Sequence, residues 1–286
     1  MRIESRSGGL SMIRNIYDDL PGSEKKVAKY VLDKAQAIPS LTVAELAAKS
    51  GSSSSAVMRL CKSLGFKSYQ ELKIRIIRDI DSADTEDYID IKKGDTIESV
   101  AKTIKNNSMK SFEETFDFFN YDTLEKAVEK IIKAKTIVMV GLGGSFIAAK
   151  DAQQKFIRIN KICYALEDMH LNATIIANLD REDLVIGISA SGETREVIKL
   201  LEKANKKGIE TIGITNYGRN SLSKIAGLSL FTPADIESPL RSAATSSRLS
   251  QLFIIDVLFT YLATVQYHTT VDYLEKTKKA IDEFRA

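Results

Sequence analysis

Apolar residues in the first 80 positions of the chain recur at the spacing of α-helices. From Ser23 to Ala37 they lie close to one helical stripe, which predicts a helix that ends before Pro39. Thr42 and Glu45 have the spacing of a capping box, in which each side chain bonds the backbone amide of the other residue. This pair predicts the start of a second, short helix.

A turn at Gly51 leads to a further helix, predicted from about Ser53 to Leu64 and ended by Gly65. Helix, short turn and helix together form the helix-turn-helix arrangement. One side of the last helix is expected to pack inward and consists of Val57, Leu60, Cys61 and Leu64. The candidate DNA-binding residues lie on its other side, at its start and just beyond it: Ser53, Ser54, Ser55, Met58, Arg59, Lys62 and Lys67.

The chemistry of this exposed side suits the major groove of DNA. Serine hydroxyls and the Arg59 guanidinium can reach base edges, while Lys62 and Lys67 can meet phosphates. Ser53 is also expected to cap the helix. The alternative interpretation is a helical bundle whose polar side is merely solvated, and the pattern alone does not separate the two.

The pattern changes in the second part of the chain. Residues 81–95 are acidic and polar, which predicts a linker, and a long amphipathic helix is predicted over 96–119. Asp122 and Glu125 have capping-box spacing before one more helix. From residue 136, short apolar runs alternate with helical patterns, which predicts an α/β domain with a parallel sheet flanked by helices. The candidate strands are 136–140, 162–166, 184–188, 211–215 and 228–232.

Two turns rich in glycine and hydroxyl groups follow the first and third predicted strands. They contribute the candidate anion-binding residues Gly143, Ser145, Ser189, Ser191, Gly192 and Thr194. Ligands of open α/β sheets bind at the carboxyl ends of the strands, and helix N-termini there present free amides to anions. A phosphomonoester on a small polar body fits such a site. Two alternatives stay open: hydroxyls that only cap helices, and a dinucleotide loop in which Phe146 replaces the third glycine.

Composition narrows the function classes. The chain has 286 residues, 44% of them hydrophobic and 28% charged, which favours two soluble globular domains. Its net charge is only +3, but residues 1–80 hold 14 Lys and Arg against 8 Asp and Glu. A basic first part favours nucleic acid as its partner. The two cysteines have no zinc-site spacing, and we expect neither a metal, a cofactor, a signal peptide nor a membrane span.

These motifs carry a resemblance to a known family over nearly the whole chain. GLGGS at 141–145 and SASGET at 189–194 resemble a sugar isomerase (SIS) domain. Segments 56–73, 151–159 and 241–259 are similar to further parts of the RpiR/MurR family of bacterial sugar-phosphate-responsive transcription regulators. The last two segments look most like the branch that responds to N-acetylmuramic acid 6-phosphate. Domains are therefore expected as a helix-turn-helix domain over 1–80, a linker over 81–95 and a SIS domain with C-terminal helices over 96–286.

The resemblance implies roles for particular residues. Ser145, Ser189, Ser191 and Thr194 would bind the phosphate of a phosphosugar, and His170 would lie near the sugar. Glu237 and Arg248 are further pocket candidates. Partners implied are a double-stranded, palindromic DNA operator, a phosphosugar effector and further copies of the chain in a homodimer or homotetramer. The function expected is a cytoplasmic repressor of sugar or amino-sugar catabolism genes.

SIS domains also occur in enzymes, so a phosphosugar isomerase or etherase is the main alternative. Such an enzyme needs a positioned base, and His170 or Glu237 has the required chemistry. A fused basic helix-turn-helix has no place in that reaction, which favours the regulator. A regulator that binds a dinucleotide is the third hypothesis.

Overall fold

The chain divides into two units in a computed structural model that describes residues 9–66, 68–81, 94–218, 220–233 and 245–284. The first unit comprises Met1–Phe118 with two short later segments, Tyr217–Arg219 and Pro233–Ser242. The second comprises Phe119–Asn216, Asn220–Thr232 and Ala243–Ala286. The domain boundaries drawn from the sequence stay a prediction, and residues 82–93 of the expected linker lie outside the described part of the chain.

The described part of the first unit is helical. Its α-helices are α1 (Gly9–Ile16), α2 (Gly22–Asp33), α3 (Val43–Lys49), α4 (Ser54–Ser63), α5 (Tyr69–Asp81) and α6 (Ile97–Asp117). The capping box of Thr42 and Glu45 is confirmed at the start of α3. The predicted extent of this helix to Ala37 is wrong, because α2 ends at Asp33. Pro39 does not end it, since it lies inside a following 3-10 helix, Ala35–Ser40.

A small apolar core joins the helices of the first unit. Each helix from α2 to α5 contributes fully buried side chains, which include Val27, Val31, Leu46, Val57, Leu60, Cys61, Leu72 and Ile76. The hydroxyl of Tyr69 donates to the carbonyl of Leu41 at 3.2 Å, so its polar end is satisfied although the ring is buried. Burial of each large apolar side chain stabilises the fold by about 1.5–3 kcal/mol.

The second unit alternates strands and helices, as predicted. Its elements are α7 (Tyr121–Lys133), β1 (Thr136–Gly141), α8 (Gly144–Ile157), β2 (Ile162–Tyr164), α9 (Met169–Asn178), β3 (Leu184–Ser189), α10 (Arg195–Lys206), β4 (Glu210–Asn216), α11 (Ser221–Ile225), β5 (Leu228–Thr232), α12 (Thr245–Val265) and α13 (Tyr267–Glu283). All five predicted strands are found, with the second shorter than expected. The predicted cap at Asp122 is wrong, because Asn120 accepts the amide of Thr123 at 3.0 Å and begins α7 two residues earlier.

The five strands form one parallel sheet in the order β2-β1-β3-β4-β5. Alternate strand residues face two separate apolar layers. Ile137, Met139 and Ile186 belong to a core shared with α7, α8 and α12. Val138 and Val185 belong to a core shared with α9, α10 and α11. Both faces of the sheet are therefore covered, which explains why the strands read as continuous apolar runs.

One helix in the described residues, α12, is long and apolar enough to cross a membrane by length and composition alone. No such segment is expected from the sequence. The side chains of Ile254, Ile255 and Leu258 in this helix belong to the first of the two cores, with α7 and α8. A helix of a protein core meets the same test of length and composition, so the finding is weak evidence for a membrane span.

Candidate functional site

Helix α4 carries the candidate DNA-binding residues, and its predicted division into two sides is confirmed. Val57, Leu60 and Cys61 are completely buried. The opposite side leaves Ser54, Ser55, Arg59 and Lys62 exposed and Met58 half-buried. Ser53 caps the helix as predicted, because its Oγ accepts the amide of Ala56 at 3.2 Å and lies 2.8 Å from the Oγ of Ser55. Lys67 lies outside the described residues.

Arg59 has a partner within the first unit that the sequence analysis did not anticipate. Its Nε donates to Oε1 of Glu24 on α2 at 3.2 Å, and its Nη2 donates to Oγ of Ser23 at 3.1 Å. The second carboxylate oxygen of Glu24 accepts from Oγ of Ser63 at 3.1 Å. Glu24 is buried, whereas about half of the Arg59 side chain is exposed. Arg59 therefore holds α4 against α2 and still presents part of its guanidinium to solvent.

Strands β1 and β3 are neighbours in the second unit, so the two candidate loops lie at the same edge of the sheet. Gly141 at the end of β1 pairs with Ile188 near the end of β3. In the sheet, β2 lies on one side of β1 and β3 lies on the other. The strand order therefore reverses between β1 and β3. Open α/β sheets bind ligands at such a switch point.

The first loop requires glycine at two positions. Gly143 has φ of 55° and ψ of −125° and stands at the N-cap of α8, a conformation that residues with a Cβ rarely adopt. A Cβ at Gly141 would lie 2.6 Å from the carbonyl oxygen of Ser145, so the strand turns into the helix without room for a side chain. Ser145, in the first turn of α8, is 8% exposed.

The second loop is closed by its own hydroxyl groups. Ser189 is buried, and its Oγ accepts the amide of Gly192 at 3.1 Å and lies 2.8 Å from Oγ1 of Thr194. Ser191 is exposed, and its Oγ accepts the amide of Glu193 at 3.2 Å. Ser189 thus shapes the loop from inside, while Ser191 and the half-buried Thr194 reach its surface.

Three residues that the sequence analysis did not identify support these loops. A Cβ at Gly192, whose φ is +71°, would lie 2.1 Å from Cγ of Asn220, so the loop packs directly on that side chain. Glu193 accepts from the amide and Oγ of Ser221 at 2.8 and 2.6 Å, and these hydrogen bonds lower the pKa of the Glu193 carboxyl. Gln251 on α12 donates from Nε2 to Oγ of Ser145 at 3.0 Å. In the sequence, Gln251 could have been noticed because the first residues of this otherwise apolar helix are polar.

Capping separates the helices that follow the strands into two groups. Asp168 caps α9, and Asn220 caps α11, each by accepting backbone amides. Neither Gly143 at the start of α8 nor Thr194 at the start of α10 makes a side-chain cap. The first amides of a helix need partners and carry a partial positive charge. At the start of α8, however, the amides of Ser145 and Phe146 already donate to the carbonyls of Leu142 and Gly143, each at 3.1 Å. The features at the switch point that suit an anion are therefore the hydroxyl groups and the positive ends of the two helix dipoles.

Comparisons with known proteins match both units. The profile of the rpiR-family helix-turn-helix domain matches residues 7–83, and that of the SIS domain matches residues 130–261. The chain is 44% identical over 279 residues to the HTH-type transcriptional regulator YbbH of Bacillus subtilis (strain 168), covering 98% of this chain and 99% of that protein. The chain belongs to the RpiR family of transcription regulators.

Two solved structures share the fold of this RpiR-family chain. The NanR protein of Vibrio vulnificus, solved in complex with ManNAc-6P, has a TM-score of 0.62 and 26% identity and covers 97% of this chain and 99% of its own. The sugar isomerase domain of the RpiR transcription factor from Sphaerobacter thermophilus shares the fold, with a TM-score of 0.57 at 20% identity over 63% of this chain and 98% of its own. The chain is thus a DNA-binding transcription regulator rather than a SIS enzyme, and its second unit is of the type that binds phosphosugars.

The remaining candidate residues of this RpiR-family chain lie in different places. His170 is exposed in the first turn of α9, and its amide donates to Oδ1 of Asp168 at 2.7 Å. Arg248 is half-buried in the first turn of α12, and Glu237 lies outside the described residues. The described part of the chain holds no group of three or more His, Cys, Asp or Glu side chains placed to bind a metal ion.

Proposed function

We propose that this RpiR-family chain is a cytoplasmic repressor that dissociates from DNA when an amino-sugar phosphate binds in the SIS domain. The observation that carries the proposal is the pair of helices, α8 and α10, that begin side by side at the switch point with no side-chain cap. Two such N-termini, lined by Ser145, Ser191 and Thr194, provide hydroxyl donors together with the positive ends of two helix dipoles. This donor set suits a phosphate monoester.

Similarity to NanR supports an N-acetylated amino sugar as the body of the effector, because that protein was solved with ManNAc-6P. Resemblance to the N-acetylmuramic acid 6-phosphate branch points in the same direction. The two candidates share the phosphate and the N-acetyl group, so both fit a site whose donors face the phosphate. We place N-acetylmuramic acid 6-phosphate first.

DNA binding would use the exposed side of α4. We propose that the chain acts as a homodimer or homotetramer whose paired α4 helices enter successive major grooves of a palindromic operator. Binding of the phosphosugar between the two loops would change the relation between paired SIS domains. The spacing of the paired helices would then no longer match the operator.

A two-step experiment tests the proposal. Full-length protein is first used to select duplexes from a random DNA library, and a palindromic consensus is expected. N-acetylmuramic acid 6-phosphate, N-acetylmannosamine 6-phosphate and glucose 6-phosphate are then added to the complex in a gel-shift assay. Release of DNA by the N-acetylated sugar phosphates, but not by the same sugars without phosphate, is the expected result. Failure to select any DNA sequence, or release by no sugar phosphate, would overturn the proposal.

A variant pair separates the two units in the same assay. Ser145→Ala combined with Ser191→Ala should abolish release by the sugar phosphate and leave DNA binding of the free protein intact. Lys62→Ala should weaken DNA binding and reduce its dependence on salt, because one phosphate contact is lost. It should leave the response to sugar phosphate unchanged.

A further inference from the structure

The side-chain amide of Gln251 is buried, and only one of its two polar atoms has a hydrogen-bond partner among the described residues. Its side chain is 1% exposed, and its Nε2 donates to Oγ of Ser145 at 3.0 Å. Its Oε1 is buried without a hydrogen-bond partner among the described residues. A buried polar atom without a partner costs about 1–3 kcal/mol. An apolar residue would avoid this cost, so stability alone does not explain a glutamine here.

Further polar side chains are buried near Gln251 at the start of α12. The first turns of α12 bury Ser246, Ser247 and Ser250, and the Oγ of Ser250 also lacks a partner among the described residues. Beyond Gln251 the buried side of the helix is apolar, with Ile254 and Leu258. The buried polar residues of α12 are therefore concentrated where the helix contacts the start of α8 at Ser145.

The bond from Gln251 determines what the Ser145 hydroxyl can do. A serine hydroxyl has one proton to donate and two lone pairs that accept. Because Gln251 donates to the oxygen, the proton of Ser145 is left for another acceptor. A phosphate dianion consists only of acceptors, so it requires a hydroxyl in this state.

We propose that Gln251 is a positioning residue for the phosphate. It holds the Ser145 hydroxyl as a donor toward an anion at the N-terminus of α8. The inference rests on the proposed function, because it assumes that Ser145 contacts the phosphate. It adds a residue on α12, 106 positions away in the sequence, to the determinants of phosphate affinity.

Inorganic phosphate is the probe for the test, with affinity measured from the rise in Tm of the full-length protein as its concentration increases. Ser145→Ala and Gln251→Met are each expected to weaken phosphate binding about tenfold, the loss typical of one charge-assisted hydrogen bond. Gln251→Glu should weaken it further, because a carboxylate accepts the Ser145 proton and repels the anion. Tm without phosphate is the baseline for each variant.

Gln153 offers a matched control on the same packed pair of helices. It lies on α8 and donates from Nε2 to the carbonyl of Cys163 at 2.9 Å. Gln153→Met removes a comparable amide from α8 and should leave phosphate affinity unchanged.

A double-variant cycle then distinguishes positioning from a general effect on folding. In the Ser145→Ala background, Gln251→Met should cause no further loss of phosphate affinity, because the group on which it acts is absent. Additive losses would overturn the inference, as would unchanged affinity in Gln251→Met when Ser145→Ala is weakened. Unchanged affinity in Ser145→Ala, or no response of the unsubstituted protein to phosphate, would overturn the proposed function as well.

Discussion

Arg59 and Glu24 form an ion pair between α4 and α2, with the Arg59 Nε 3.2 Å from a Glu24 carboxylate oxygen. The other oxygen of this buried carboxylate accepts from Ser63, also on α4. A helix that enters a DNA groove must keep its orientation when DNA binds. Two polar contacts from α4 to the Glu24 carboxylate fix that orientation. The residue expected to read DNA is therefore also part of the support for the helix.

Arg59→Ala should lower both stability and DNA affinity. It leaves a buried carboxylate with one fewer donor, so the free energy of unfolding should fall by about 1–2 kcal/mol. Glu24→Gln provides the comparison, because it weakens the same contact while it keeps the cation. Urea unfolding and gel shifts of both variants measure the two effects. Equal losses of DNA affinity in the two variants would show that Arg59 acts only through helix packing.

Ser53→Asp should separate capping from DNA binding. Aspartate caps helices about as well as serine, so stability should be retained, whereas Ser53→Ala should lose about 1 kcal/mol. The new negative charge at the start of α4 should weaken DNA binding by electrostatic repulsion of phosphates. Thr96→Asp is the control, because Thr96 caps α6 in the same way. Retained DNA affinity in Ser53→Asp would argue against contact between DNA and this end of α4.

Gly192→Ala should destabilise the second unit far more than Gly208→Ala. The two glycines have nearly the same φ, +71° and +73°, so the backbone strain is similar. A Cβ at Gly192 collides with Asn220, whereas the nearest atom to a Cβ at Gly208 is 3.2 Å away on the flexible Arg181 side chain. We expect losses of about 1 kcal/mol for Gly208→Ala and at least twice that for Gly192→Ala. Equal unfolding midpoints would contradict the close packing of Gly192 on the Asn220 side chain.

Both cysteine thiols should be inert in the native protein. Burial raises the pKa of Cys61 to about 11 and that of Cys163 to about 12. Since the thiolate is the nucleophile, alkylation by iodoacetamide at pH 8 should proceed only as fast as the chain unfolds. Labelling that is fast and insensitive to urea would contradict the burial of either thiol.

The same shifts make stability depend on pH in the alkaline range. Below the ordinary thiol pKa of 9.0, the contribution of the two cysteines to the free energy of unfolding is constant. As pH rises from there toward 11 and 12, the unfolded chain ionises first and the free energy of unfolding falls. Because lysines and tyrosines titrate in this range too, the Cys61→Ala and Cys163→Ala double variant is the reference. It should lose less stability than the unsubstituted protein between pH 8 and pH 10.5.

Local patterns in the sequence predicted most of the secondary structure. The Thr42 capping box, the Ser53 cap and the five strands depend on residues within a few positions of one another, so nearest neighbours are enough to encode them. Predictions at helix ends were less successful. Asn120 rather than Asp122 caps α7, and α2 ends well before Pro39, because several nearby residues compete for each end and packing selects among them.

The sequence by itself determined the order of elements, the two sides of α4 and the two hydroxyl-rich loops, since periodicity and turn chemistry are local. Only the tertiary structure decided which side chains support them. Arg59 reaches Glu24 across 35 positions, and Gln251 reaches Ser145 across 106. Such contacts arise when separate helices pack and bring distant residues to one place. No local pattern specifies the partner of a buried polar group.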